Sequence, residues 1–169
     1  MSNAADLARF ANDGLSGTVL QVLSTVKTDT FSSTSTSLTD ITGLSVEITP
    51  SSTSNKILVI VNCAVTGADA GIGFSIVRGS TEIYLGDADG SKSRFSMTGF
   101  YASGSPTTYA AGSNHACFLD SPSTTSATTY KLQGKTRSGA FYVNRTVYDT
   151  DNDNASRMPS SITVMEIAG

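Results

Sequence analysis

His115 is the only histidine in this 169-residue chain. It stands in Ser113-Asn114-His115-Ala116-Cys117, so the first chemistry to test is a hydroxyl or thiol nucleophile activated by an imidazole base. Such catalysis needs the base beside its nucleophile and a third group to orient it. One histidine among so many serines forms no such signature, and the strained Gly-x-Ser-x-Gly turn of the hydrolases is absent. Asp149, Asp151 and Asp153 alternate as the first ligands of a calcium loop do, but Asn154 stands where that loop needs glycine and Ser160 where it needs the closing glutamate. A looser divalent site on this loop, or at Asp87 and Asp89, competes with ordinary solvated turns. A pair of carboxylates would suit a glycosidase, yet any all-β chain with 14 acidic residues offers chance pairs, and no spacing singles one out. We assign no catalytic residue, no metal and no cofactor, and expect no enzymatic activity. Six tyrosines, Tyr84, Tyr101, Tyr109, Tyr130, Tyr142 and Tyr148, can stack on sugars or fill an interface, but such residues also line the rims of sandwich cores. Asn144-Arg145-Thr146 and Asn154-Ala155-Ser156 match the glycosylation pattern, which matters only in a eukaryotic secretory pathway.

The elements that must position these groups are strands. Lys56 to Val65 is the longest apolar run, bounded by Pro50 to Asn55 before it and Gly67 to Gly71 after it. Ile57, Val59, Val61, Cys63 and Val65 fall on one side and Leu58, Ile60 and Ala64 on the other, so this strand needs cover on both faces, from a second sheet or a neighbouring subunit. Leu44, Val46 and Ile48 alternate with polar residues before Pro50. The link Gly79-Ser80 predicts a tight hairpin between strands over 71–78 and 81–86. Further strands are expected over 17–27, 94–101, 107–119, 128–135, 140–147 and 161–168, with a second hairpin around Arg137-Ser138-Gly139. The Ser/Thr-rich stretch 28–39 suits an edge strand or a loop crossing the end of a sandwich. Eight to ten short strands with turn signals between them predict an all-β antiparallel sandwich of jelly-roll type, with an immunoglobulin-like sandwich as the alternative.

Only the amino end reads as helix. Ser2-Asn3 caps Ala4 to Gly14, placing Leu7, Phe10 and Ala11 on one side; it is either a frayed tail or an anchor that docks on a partner. The division expected is 1–17 for this anchor helix and linker, and 18–169 for the sandwich.

Composition narrows the partners. Charged residues make up 15% of the chain and net charge is −3, while Ser and Thr supply roughly three residues in ten. A sequence pI of 4.9 without basic clusters argues against nucleic acid. No apolar span reaches membrane length, and Asp6, Arg9, Asn12 and Asp13 interrupt any secretory leader. Cys63 and Cys117 both lie in apolar segments and read as two separate core thiols. Glu166 shares a face with Ile162 and Val164, an unusual place for a carboxylate without partners.

Three segments carry a resemblance: Leu119 to Pro122 with Thr124 to Gln133, Ser138 to Thr146, and the ending Ser160 to Ile167. Gly17 to Val22, Leu44 to Pro50 and Ser54 to Val59 add to it. Together they resemble small virion surface or fibre-like proteins of tailed bacteriophages, particularly marine and cyanobacterial ones. The resemblance implies a jelly-roll head similar to the tumour-necrosis-factor and complement-head folds, assembled as a homotrimer on the virion surface, tail or capsid. In such trimers the first and last strands lie near the threefold axis, which implies Leu20, Val22, Val164 and Glu166 as interface residues. Leu7, Phe10 and Ala11 would anchor the head to other virion proteins. Asp87, Asp89, Tyr101, Tyr109, Asp151 and Asn152 would sit on loops facing a host surface glycan. A capsid decoration protein is the alternative, and a glycan depolymerase a distant third.

Overall fold

The computed structural model describes residues 16–67, 71–100 and 109–169. The expected helix with Leu7, Phe10 and Ala11 lies outside these residues, as does Tyr101. Within them the chain forms eleven strands: β1 (Val19–Lys27), β2 (Phe31–Ser33), β3 (Thr39–Ile48), β4 (Lys56–Gly67), β5 (Gly73–Arg78), β6 (Thr81–Ile83), β7 (Met97–Thr98), β8 (Gly112–Asp120), β9 (Thr128–Lys135), β10 (Phe141–Val143) and β11 (Ser160–Ile167). All pairings are antiparallel.

The strands build two packed sheets. Sheet A runs β1-β11-β4-β10-β2, with β8 on the other edge of β4; sheet B runs β3-β9-β5-β6, with β7 also on β5. β11 and β10 lie end to end along one edge of β4, the first pairing Lys56 to Asn62 and the second Val65 to Gly67. Their outer neighbours β1 and β2 are likewise end to end. Each sheet is therefore four strand-widths across.

The apolar run that the sequence places at the centre is there. In β4, Ile57, Val59, Val61, Cys63 and Val65 are buried against sheet B, where Leu44, Ile48, Phe74, Ile76, Tyr130 and Leu132 face them. Phe74 meets Phe141 edge-on, with ring centroids 5.4 Å apart. Across one end of the sandwich, Arg78 of sheet B forms a two-pronged ion pair with Asp120 of sheet A, at 2.9 and 2.8 Å. The Tyr130 hydroxyl donates to the same carboxylate at 2.7 Å. Burial, reinforced by that carboxylate, pushes the Tyr130 phenol up.

Two expectations about the strands are corrected. β5 and β6 do form the two-residue hairpin, pairing Arg78 with Thr81, but β9 and β10 do not. β9 belongs to sheet B, whereas β10 pairs with β2 and β4 in sheet A. The residues between them carry the chain across the sandwich, because Phe141 and Val143 must bury inside it. The strand expected over 94–101 shortens to Met97–Thr98. The preceding segment instead folds back over sheet B and lays Phe95 on Gly73, where a Cβ would stand 2.2 Å from the ring.

The excursion from β10 to β11 leaves and re-enters sheet A at Asn144 and Ser160, both fully buried. Asn144 has φ of +64°. Its backbone N–H donates to Ala64 O at 3.0 Å. Its side-chain amide donates to Lys27 O and Asp29 O at 2.8 and 2.9 Å, and its side-chain oxygen accepts from Ser160 Oγ at 2.5 Å. Ser160 Oγ in turn accepts from Ala64 N–H at 3.0 Å. This pair repairs the ladder at the point where the row beside β4 and the row outside it both break. It also removes Asn144 as a glycosylation acceptor in the folded chain, since its amide is buried and engaged. Asn144→Ala is expected to cost about 3 kcal/mol or more, from buried groups left unpaired and the left-handed backbone. Asn144→Gly, which relieves only the backbone, should recover about 1 kcal/mol of that. Urea denaturation of both variants separates the two contributions, and equal stabilities would mean that the φ of +64° carries no strain.

Candidate functional site

Opposed residues of an antiparallel pair share a face, so the register of sheet A gives its outer surface directly. One row is Val22, Met165, Leu58 and Leu119; the next is Ser24, Thr163, Ile60 and Cys117; the third is Val26, Ser161, Asn62 and His115. These rows contain no Asp, Glu, Lys or Arg. Val22 is 52% exposed, Val26 62% and Leu119 54%, while Leu58, Ile60 and Met165 in the middle are half-buried by their own neighbours. Soluble chains do not usually gather large apolar side chains on one uncharged sheet face unless something covers it. Within the third row the side-chain oxygen of Asn62 is sealed from solvent and has no hydrogen-bond partner, a costly state for an amide.

The interface residues expected from the sequence divide on this surface. Leu20 and Val22 are exposed, at 40% and 52%. Val164 and Glu166 are corrected: at 0% and 1% exposure they point into the sandwich. The strand alternation that puts them with Ile162 also puts Ser161, Thr163, Met165 and Ile167 outward. Cys117 is corrected in the opposite sense. It is an exposed free thiol opposite Ile60, whereas Cys63 is buried, and burial pushes the Cys63 thiol up to about 12 despite a hydrogen bond with Ser160. His115 lies exposed on the same face, opposite Asn62. Among the described residues it has no hydrogen bond to a hydroxyl, thiol or carboxylate.

A second surface is the excursion 144–159. Arg145 stacks its guanidinium on Tyr142, 4.2 Å from the ring centroid, and binds Asp149 at 2.9 Å. Arg157 pairs with the same carboxylate. These contacts, with the Arg157 bond first, hold Asp149 below the usual carboxylate range. Thr146, fully buried, donates to Tyr148 O at 2.6 Å and pins the loop from beneath. Tyr148, half exposed, meets Tyr109 edge-on with centroids 5.7 Å apart. The Tyr109 hydroxyl lies 3.3 Å from Thr150 Oγ1, which also accepts from Asn152 Nδ2 at 2.8 Å. Three of the expected contact residues, Tyr109, Asp151 and Asn152, thus gather at one place; Asp151 and Asn152 line a depression of about 300 Å³ with Asp149, Thr150, Ala155 and Arg157. Asp87 and Asp89 lie apart, exposed on the link from β6 to β7, where Asp89 pairs with Lys92. The alternating aspartates do not converge, since Asp149 is taken by two arginines. Among the described residues no group of three or more His, Cys, Asp and Glu side chains is placed to hold a metal.

Glu166 is a structural carboxylate. It accepts from Ser51 N–H at 2.6 Å, Ser51 Oγ at 2.8 Å, Asn55 Nδ2 at 2.5 Å and Gln21 Nε2 at 2.6 Å. Burial alone would raise its pKa, but these hydrogen bonds outweigh it and hold the group at about 2. They tie β1 and the turn after β3 to the last strand.

No protein-family model matches the chain. No curated protein matches it either. Among solved structures it is similar to a chain of infectious bursal disease virus, Gt strain, with a TM-score of 0.42 and 15% identity over 91% of this chain and 39% of that one. For the Gx strain of the same virus the values are 0.39 and 14%, over 88% and 37%. The chain therefore spans less than two-fifths of the length of those viral chains.

Because the carboxylate of Glu166 ionises more readily in the fold than at its ordinary value of 4.5, its contribution is complete above that pH and fades as pH falls toward 2. It amounts to about 3 kcal/mol. Glu166→Gln should lower stability at pH 7 and flatten the acid limb of the stability curve between those limits. An unchanged acid limb, followed by denaturant titration at successive pH values, would remove Glu166 from the account.

Proposed function

We propose that this protein is a non-enzymatic structural subunit of a virion surface, assembling as a homotrimer through the outer face of sheet A. The observation that carries the reading is that uncharged apolar face. Its three central rows hold no charge pattern with which to select a different partner, Lys56 standing one row beyond Leu58. Strand order supports the same reading. Counting collinear strands as one, sheet A is β1-β11-β4-β8 and sheet B is β3-β9-β5-β6, the interleaved order of a jelly roll wound from two Greek keys. It is also the order expected from the resemblance to tailed-phage virion proteins, whose first and last strands approach the threefold axis. In this reading residues 1–17 hold the head to other virion proteins, and the loops at Asp87, Tyr101, Tyr109, Asp151 and Asn152 face outward toward a host surface.

Light scattering of the purified chain should give three times the protomer mass. Ile60→Asp, which places a charge on the outer face without entering the core, should give a folded monomer by the same measurement together with circular dichroism. Cys117 then serves as an internal reporter. It should alkylate slowly in the assembly and at least tenfold faster in the Ile60→Asp protein, with Cys63 unreactive in both until urea is added. A wild-type chain that is monomeric with rapidly labelled Cys117 would overturn self-association through this face. Quantifying copies per particle separates a fibre, with a few dozen at most, from a capsid decoration protein, with hundreds.

A further inference from the structure

The basic side chains of the described residues are nearly all engaged. Lys27, Arg78, Lys92, Lys131, Arg145 and Arg157 hold carboxylates. Lys56 donates to Ser121 Oγ and Arg94 to Gly86 O. Among the described residues only the side chains of Lys135 and Arg137 lack an oxygen partner, and both line the same depression. Its volume is about 360 Å³, and Thr36, Gly71, Ser93, Phe95 and Thr136 complete it. Among the described residues no carboxylate lines it.

The arrangement is held in place rather than draped on the surface. Thr136 N–H donates to Ser35 O at 2.9 Å and Arg137 N–H to Gly71 O at 3.0 Å. The Thr136 hydroxyl is spent on Ser138 O. Gly71 has φ of +81°, and a Cβ there would stand 2.7 Å from Arg137 Cβ, so the close approach of the two segments requires glycine. Lys135 lies 5.3 Å over the ring of Phe95, which fixes its stem and leaves its ammonium hydrogens unmatched by any anion among the described residues. On a chain of net charge −3, two cations on one depression with no counter-charge among the described residues repel one another, and an oxyanion between them relieves that repulsion while accepting their hydrogen bonds.

We propose that this depression, on the sheet B side of the molecule, binds an acidic saccharide. A carboxylate or sulfate would sit between Lys135 and Arg137, and the sugar hydroxyls would meet Thr36 and Ser93. Phe95 offers the apolar wall against which a sugar ring can rest. The site does not depend on the assembly proposed above, since none of its residues belongs to sheet A's outer face.

The test is calorimetric titration of the full chain with a uronate oligosaccharide, a sulfated oligosaccharide, a neutral oligosaccharide of equal length, and inorganic phosphate. The acidic sugars should bind, more weakly as salt is raised, and the neutral sugar should not. Lys135→Ala and Arg137→Ala should each reduce affinity roughly tenfold. Lys131→Ala, a charge-matched change outside the depression, should leave it unaltered, with circular dichroism confirming that all three variants fold. Equal losses in all three variants would make the effect one of net charge and overturn the site. Equal binding of the neutral sugar, or inorganic phosphate binding as tightly as the acidic sugars, would overturn the ligand class. Absence of binding by every probe would overturn both.

Discussion

The fold turns on a buried asparagine. A β-sheet needs an unbroken ladder of backbone hydrogen bonds, and a loop inserted into an inner strand row breaks it. Here the row beside β4 is broken by the whole 144–159 excursion, and the outer row is broken at the same level between β1 and β2. Asn144 spans the gap with its backbone N–H, both side-chain atoms and a left-handed φ, and Ser160 supplies the remaining acceptor for Ala64. Few side chains offer a donor and an acceptor at that reach while tolerating positive φ. Because this junction closes, β10 and β11 can act as one strand, the cross-sheet packing of Phe141 is kept, and the excursion is free to carry Tyr148, Asp149 and Asn152.

Much of this was legible in the sequence because strand alternation is a short-range signal. The β4 run, the half-buried β3 pattern, the Gly79-Ser80 hairpin and the limits of β9 follow from local spacing and turn residues. The partners of a strand do not. Tight-turn chemistry at Arg137-Ser138-Gly139 suggests that β9 and β10 form a hairpin, yet the same residues serve a crossover between sheets, a choice made by where Phe141 can be buried. Likewise, strand alternation groups Glu166 with Ile162 and Val164, but which face of β11 looks inward depends on Ser51, Asn55 and Gln21, which are distant in sequence and supply four hydrogen bonds to the carboxylate. An apolar row and a row containing Glu suggest the opposite assignment until those partners are known. Of the candidate contact residues, Tyr109, Asp151 and Asn152 could be grouped by their types. Their meeting at Thr150 required the excursion to fold back, which no local pattern encodes.

Polarity is partly inverted in this sandwich. Glu166, Asn144, Thr146 and Ser160 are inside, each with hydrogen-bond partners, while Val22, Val26, Leu119 and Cys117 are outside without cover. Buried polar groups with complete partners give a sheet a unique register at some cost in stability. Exposed apolar groups do nothing for a protomer in water. The first set is therefore understandable within one chain, whereas the second makes physical sense only where another surface removes it from solvent.

The two sides of the molecule then differ in the interaction each can make. The three outer rows of sheet A are uncharged, so their attraction is non-directional, and the specificity of a contact made there comes from shape. The depression beside sheet B offers Phe95 as an apolar wall, and its two cations, unmatched among the described residues, act at longer range and select for charge. A surface of the first kind suits permanent association, because leaving it re-exposes hydrocarbon. A site of the second kind suits a reversible ligand, because water and salt can replace what the ligand provides. The division follows from the register: β4, with no charged residue between Ile57 and Gly67, lies in sheet A, whereas the basic end of β9 and the segment bearing Phe95 belong to the sheet B side.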